Sequence, residues 1–177
     1  MKTFTVPARE QVSVNNQEIF DHLKKAIGMV PNLYATMAYS ENALGNYVTF
    51  QGGKTSLRGK EKEAVNLIVS QVNNCIYCLS AHTVIGKMNG FTDEQIIEIR
   101  KGGASFDTKL NALVKLAKNI TENKGKADST LTDNFFAAGY NEGSLVDLIM
   151  LIGDKTIMNY LHNLTGVPVD FPLAPAL

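Results

Sequence analysis

The chain has 177 residues, 45% of them hydrophobic and 19% charged, and its 17 Lys+Arg balance its 17 Asp+Glu to a formal net charge of zero. This is an ordinary globular composition, long enough to bury a sizeable core, and one domain over 1–177 is expected. A neutral balance without a basic run gives no electrostatic footing for nucleic acid or an anionic bilayer. The most apolar stretch, SLVDLIMLIG at 144–153, is broken by Asp147 and falls well short of the roughly 20 residues a spanning helix needs. The opening MKTFTVPAREQ carries no apolar h-region, so no signal peptide is expected. The reading is therefore a cytoplasmic protein with neither nucleic-acid nor membrane partners. In a reducing compartment, two cysteines are more often catalytic or metal-binding than structural.

Helical periodicity dominates. NQEIFDHLKKAIG puts Ile19, Phe20, Leu23, Ala26 and Ile27 on one stripe, with Gly28 as a stop. Pro31 opens a stretch that reads as two short helices broken near Ser40. TSLRGKEKEAVNLIVSQVNN is the next helix, burying Ala64, Val65, Ile68, Val69 and Val72 and ending at Asn73-Asn74. CIYCLSAHTVIGKMNG follows, with Ile76, Leu79, Ile85 and Met88 available for packing. TDEQIIEIRKGG spaces Thr92 and Gln95 as a capping box, and Gly102-Gly103 closes it. DTKLNALVKLAKNITENKG repeats the amphipathic pattern through Leu110, Leu113, Val114, Ala117 and Ile120. LTDNFFAAGYN gives a short helix behind an Asp or Thr cap.

The last helix, EGSLVDLIMLIGDKTIMNYLHNLTG, is apolar nearly all round, which predicts burial on several sides, a subunit interface, or both. The sum is an all-α fold of about eight helices, with an N-terminal arm over 1–15 and an extended, proline-rich tail over 167–177.

The stretch NNCIYCLSAH holds both cysteines. With Asn74 as N-cap, Cys75, Cys78 and His82 fall within about 60° of one another on one helix face. Both sulfurs then lie near the positive end of the helix dipole, which lowers thiol pKa and populates the nucleophilic thiolate. The cap amides favour Cys75, whereas His82, at i+4, neighbours Cys78; the order of attack stays open on these grounds. Structural zinc wants four ligands, and His22 and His162 are distant from the pair, so no metal is expected. Thioredoxin-type redox domains carry Cys-x-x-Cys after a strand, whereas here a helix precedes it. Glu63, on that preceding helix, is by position either a surface carboxylate in the charged start RGKEKEA or a partner for His82. Asn159 and His162, near one another on the last helix, are candidate pocket residues that more often simply bridge helices.

Glu63, eleven intervening residues, and then CIYCLSAH together resemble the signature of the alkylhydroperoxidase D and carboxymuconolactone decarboxylase superfamily. The closing NYLHNLTGVPVDFPLAP resembles its peroxidase-related branch. The resemblance implies an alkylhydroperoxidase D-like helical bundle and a thiol peroxidase without metal, haem or flavin. In that scheme Cys78 is the peroxidatic thiolate, Cys75 resolves its sulfenic acid as a disulfide, and Glu63 and His82 relay protons. It implies a peroxide substrate and an external dithiol reductant, a lipoyl-bearing protein being one such donor. It also implies a homo-oligomer, trimer or hexamer ahead of dimer. Tyr77 stands where the family's best-known enzymes carry a histidine, and a phenol is a poor base at neutral pH. The alternatives are a disulfide-exchange or redox-responsive protein without peroxidase turnover, and a decarboxylase-like lyase that would need neither thiol.

Overall fold

The computed structural model describes residues 4–177. Among them the chain is all-α: nine α-helices and a 3₁₀ turn at Arg9–Gln11, with no strand. The count exceeds the expected eight by one, and the stretch after Pro31 does divide into two helices. Of the expected N-terminal arm, residues 1–3 lie outside the described residues, and the remainder enters its first helix at Val14. The chain falls into two compact units. One runs up to Lys54 and takes back Leu161–Asp170; the other comprises Thr55–Tyr160 and Phe171–Leu177.

In the first unit α1 (Val14–Ile27), α2 (Asn32–Met37) and α3 (Ala43–Gln51) follow one another. Ser13 caps α1 by accepting the Asn16 amide, and Gly28 ends it in the left-handed region at φ 83°. The stripe expected on α1 is only partly buried. Phe20 is buried, but Ile27 is 58% exposed, because α1 packs through its N-terminal half and its last turn stands in solvent. Asn16 fills the buried face instead, donating to the carbonyls of Ala38 and Ser40 at 3.2 and 3.0 Å. The start of α2 is tied to the returning segment: Asn32 N–H donates to Asp170 Oδ2 at 2.7 Å.

The second unit is built around α4 (Gly59–Val72). It packs against α5 (Ile76–Met88), α6 (Asp93–Lys101) and α7 (Thr108–Glu122). Ala64, Val65, Leu67, Ile68 and Val69 are all fully buried, so α4 is apolar over more than one face, as a central helix must be. The α7 stripe buries Leu110, Leu113, Val114, Ala117 and Ile120 as its spacing predicts. The Thr92–Gln95 capping box at the start of α6 is formed in both directions. Asp128 caps α8 (Ser129–Ala137).

Of the outcomes expected for the closing helix α9 (Glu142–Thr165), burial on several sides within the chain is not what the structure shows. The helix is not buried all round: Val146 is 62% exposed, Met150 50% and Ile157 48%. Its inward stripe in this unit is Leu148, Ile152, Lys155 and Asn159, which mixes apolar residues with a cation and an amide. Hydrophobicity counted around the helix hid this, because the polar residues lie on the buried side. On α5 the outer positions Ile76 and Met88 are also exposed, and Leu79 carries the packing. The tail is extended as read, and it is pinned. Ala174 N–H donates to Ser80 Oγ at 3.0 Å, Arg100 Nη1 to the Pro175 carbonyl at 2.8 Å, and Phe171 meets Tyr77 edge-on at 5.7 Å. None of the described helices is by itself long and apolar enough to cross a membrane.

Candidate active site

The turn from α4 into α5 sets the cysteines. Asn74 adopts φ 52°, a left-handed conformation that asparagine tolerates better than most residues. This reverses the chain so that Cys75 N–H returns to the Ser70 carbonyl at 3.0 Å. The consequence corrects the expected cap. Cys75, not Asn74, is the N-cap of α5, and its Sγ accepts the Cys78 amide N–H at 3.4 Å. A sulfur in the N-cap position takes the part that serine or aspartate oxygen usually plays there, and negative charge on it is favoured by the helix amides.

Both sulfurs are interior. Cys75 is fully buried, Cys78 is 3% exposed, and both are free thiols. A hydrogen bond to Cys75 and burial push the Cys78 thiol far up, against Lys155 and Asn159, which pull it down. The expectation that the dipole would lower both thiols is corrected for Cys78. When one thiol hydrogen-bonds another, the second proton of the pair is held tightly.

His82 lies one turn beyond Cys78 on α5. Its Nδ1 meets Glu63 Oε2 at 2.7 Å, and Glu63 Oε1 accepts from Asn66 Nδ2 at 3.1 Å. The α4–α5 packing thus brings the carboxylate to the imidazole, and Glu63, 8% exposed, is not a surface residue. Burial raises the Glu63 carboxyl, but His82, Lys155 and Asn66 together outweigh it and hold it below its ordinary range. Burial, aided by Lys155, lowers His82 against the pull of Glu63 and Asp154. We read an ionised Glu63 accepting Nδ1–H from a neutral His82, which leaves Nε2 as a base.

Two residues on α9 complete the surroundings. Asn159 is fully buried, donates to Ser70 Oγ at 3.2 Å, accepts from Asn73 Nδ2 at 2.9 Å, and draws the Cys78 thiol down. Of the pair expected on the last helix, Asn159 thus joins the dithiol. His162 bonds the Val167 carbonyl at 3.2 Å within the other unit. Lys155 is 3% exposed, and its charge acts on Glu63, Cys78 and His82. The sequence reading missed it. The available signal was its register: Lys155 follows Leu148 and Ile152 on the stripe that continues to Asn159. Tyr77 is buried against Phe171. Among the described residues no cluster of three or more His, Cys, Asp and Glu side chains is arranged to hold a metal ion.

This arrangement can ionise one sulfur of a dithiol, move a proton through an imidazole fixed by a carboxylate, and close a disulfide. The comparisons with known proteins agree with it in fold. Residues 36–119, which include Glu63, Cys75, Cys78 and His82, match the carboxymuconolactone decarboxylase (CMD) family. That match spans slightly less than half of the chain. No curated protein sequence matches it.

Several solved structures share the fold. An alkylhydroperoxidase AhpD core, an uncharacterized peroxidase-related protein from Ralstonia eutropha JMP134, aligns with a TM-score of 0.84 at 16% identity, covering 94% of this chain and 91% of that one. An uncharacterized peroxidase-related protein from Silicibacter sp. TM1040 aligns with a TM-score of 0.78 at 18% identity, covering 95% and 89%. The debrominase Bmp8, as a cysteine-to-alanine variant in complex with 2,3,4-tribromopyrrole, aligns with a TM-score of 0.78 at 15% identity, covering 96% and 93%.

Proposed function

We propose that this protein is a thiol-dependent peroxidase that reduces hydrogen peroxide or an organic hydroperoxide through Cys75 and Cys78. The observation that carries the reading is the buried dithiol flanked by the Glu63–His82 pair. His82 Nε2 takes the Cys78 proton as that sulfur attacks the distal peroxide oxygen. The O–O bond breaks, the alkoxide leaves as ROH with the relayed proton, and Cys78 becomes a sulfenic acid. Cys75 then attacks Cys78, water departs and the disulfide forms. The balance is ROOH plus two thiols to ROH, water and one disulfide. An external dithiol, of which a lipoyl-bearing protein is an example, returns the pair to thiols. The alternation needs no cofactor or metal, and a homo-oligomeric assembly accords with the resemblance.

Mass spectrometry of the protein treated with substoichiometric hydrogen peroxide tests this. Cys78→Ser should abolish peroxide consumption, and Cys75→Ser should leave a trappable sulfenic acid on Cys78 without a disulfide. Loss of the first step in Cys75→Ser, with Cys78→Ser still forming a sulfenic acid, would invert the roles, as the cap position of Cys75 invites.

The debrominase of the same fold supports a second reading, reductive debromination. Here a bromopyrrole and two thiols give the debrominated pyrrole, HBr and a disulfide. Bromide release from 2,3,4-tribromopyrrole, set beside peroxide consumption under the same dithiol donor, separates the two.

A further inference from the structure

Lys155 is a buried lysine without an ion-pair partner at close range among the described residues. Lysine is almost never fully buried without a counter-charge, since removing it from water costs several kcal/mol by general estimates. Lys155 is 3% exposed, yet no carboxylate lies within ion-pair distance of it among the described residues. Glu63 feels the Lys155 charge, but its two oxygens hydrogen-bond His82 and Asn66. One turn further along α9, Asn159 reaches Ser70 and Asn73, residues of the turn that delivers Cys75. The face that carries Lys155 is therefore the face that meets the dithiol.

We propose that Lys155 is the counter-cation of the reduced dithiol: it balances one negative charge shared by Cys75 and Cys78, and so keeps the pair as a monoanion near neutral pH. One thiol proton leaves to solvent by way of His82, and the other stays between the sulfurs. Oxidation to the disulfide then removes the anion and leaves the ammonium uncompensated. The groups facing this charge are Glu63 from α4, Cys75, Cys78 and His82 from α5, and Asp154 from α9 itself, whose Oδ1 is buried without a partner. Lys155 acts through the sulfurs and is a positioning residue for the reaction proposed above. The inference rests on that reading only for its purpose, because the ionisation it describes needs no peroxide.

The test is the pH profile of iodoacetamide alkylation, mapped to Cys75 and Cys78, alongside thiolate absorbance of the full-length protein. In the wild type one thiolate equivalent should ionise below the ordinary thiol value of 9.0. Lys155→Met should move the profile up by about one pH unit, with alkylation at neutral pH slowed about tenfold. Lys155→Arg should restore most of the reactivity. A folded Lys155→Met protein with an unmoved profile would overturn the inference. So would a wild-type protein with no thiolate below 9.0, and that titration decides the matter should the methionine variant fail to fold. A shifted profile without peroxide consumption would leave Lys155 in this role and remove only the peroxidase reading.

Discussion

At the scale of single residues, each chemical group owes its character to burial and a few close neighbours. His82 is a base because Glu63 holds the proton on Nδ1 and burial keeps the ring neutral. Replacing His82 with Asn should cut peroxide consumption by about 10²- to 10⁴-fold, the usual contribution of a general base, while thermal unfolding by circular dichroism stays cooperative. Glu63→Gln loses a charge-assisted hydrogen bond, which should cost about 1.5–3 kcal/mol in urea denaturation, and frees the ring to adopt the other tautomer. Glu63 and His82 were legible together through the family resemblance, whereas position alone left Glu63 open as a surface carboxylate. The cap was not: nothing in NNCIYC distinguishes an asparagine that caps from one that turns left-handed and passes that duty to the next sulfur. Lys155 was hidden for a different reason. A lysine reads as solvated unless the register of its helix is known.

At the scale of elements, α7 was readable because its buried residues recur at regular helical spacing, and α4 buries its expected Ala64, Val65, Ile68 and Val69, although Val72 is only half-buried and the burial extends to more than one face. On the closing helix α9 the buried polar residues were not foreseen, since they and the exposed apolar ones cancel in any count of hydrophobicity. The extended tail was foreseen from its prolines, but its attachments were not, because they join residues far apart in sequence. Those attachments cover α5 between Tyr77 and Ser80. Ala174→Pro removes the N–H that bonds Ser80 Oγ, and with about 1 kcal/mol of a hydrogen bond gone, alkylation of the cysteines should quicken about fivefold. Deleting 171–177 should quicken it further. Rates that match the wild type would mean the tail does not govern access.

At the scale of the whole molecule, acid is the condition to which the fold is most exposed. The folded His82 binds its proton less readily than its unfolded counterpart, so between the folded value and the ordinary 6.5 the unfolded chain carries the extra proton. Stability is therefore complete above 6.5 and declines as pH falls below it. Glu63, whose carboxyl is held below its ordinary 4.5, adds a second loss of the same sign below that point. The midpoint of urea unfolding should fall from pH 7 to pH 5, and His82→Asn should flatten that slope. One further result follows from the place of Cys75 at the head of α5. Once that sulfur is part of an uncharged disulfide it is a weaker acceptor, and the opening turn of that helix is held less firmly. The oxidised molecule should loosen there, so that deuterium enters the amides of residues 76–79 faster than in the reduced form. The spent state would then present itself to whatever regenerates it, while the ready state stays shut.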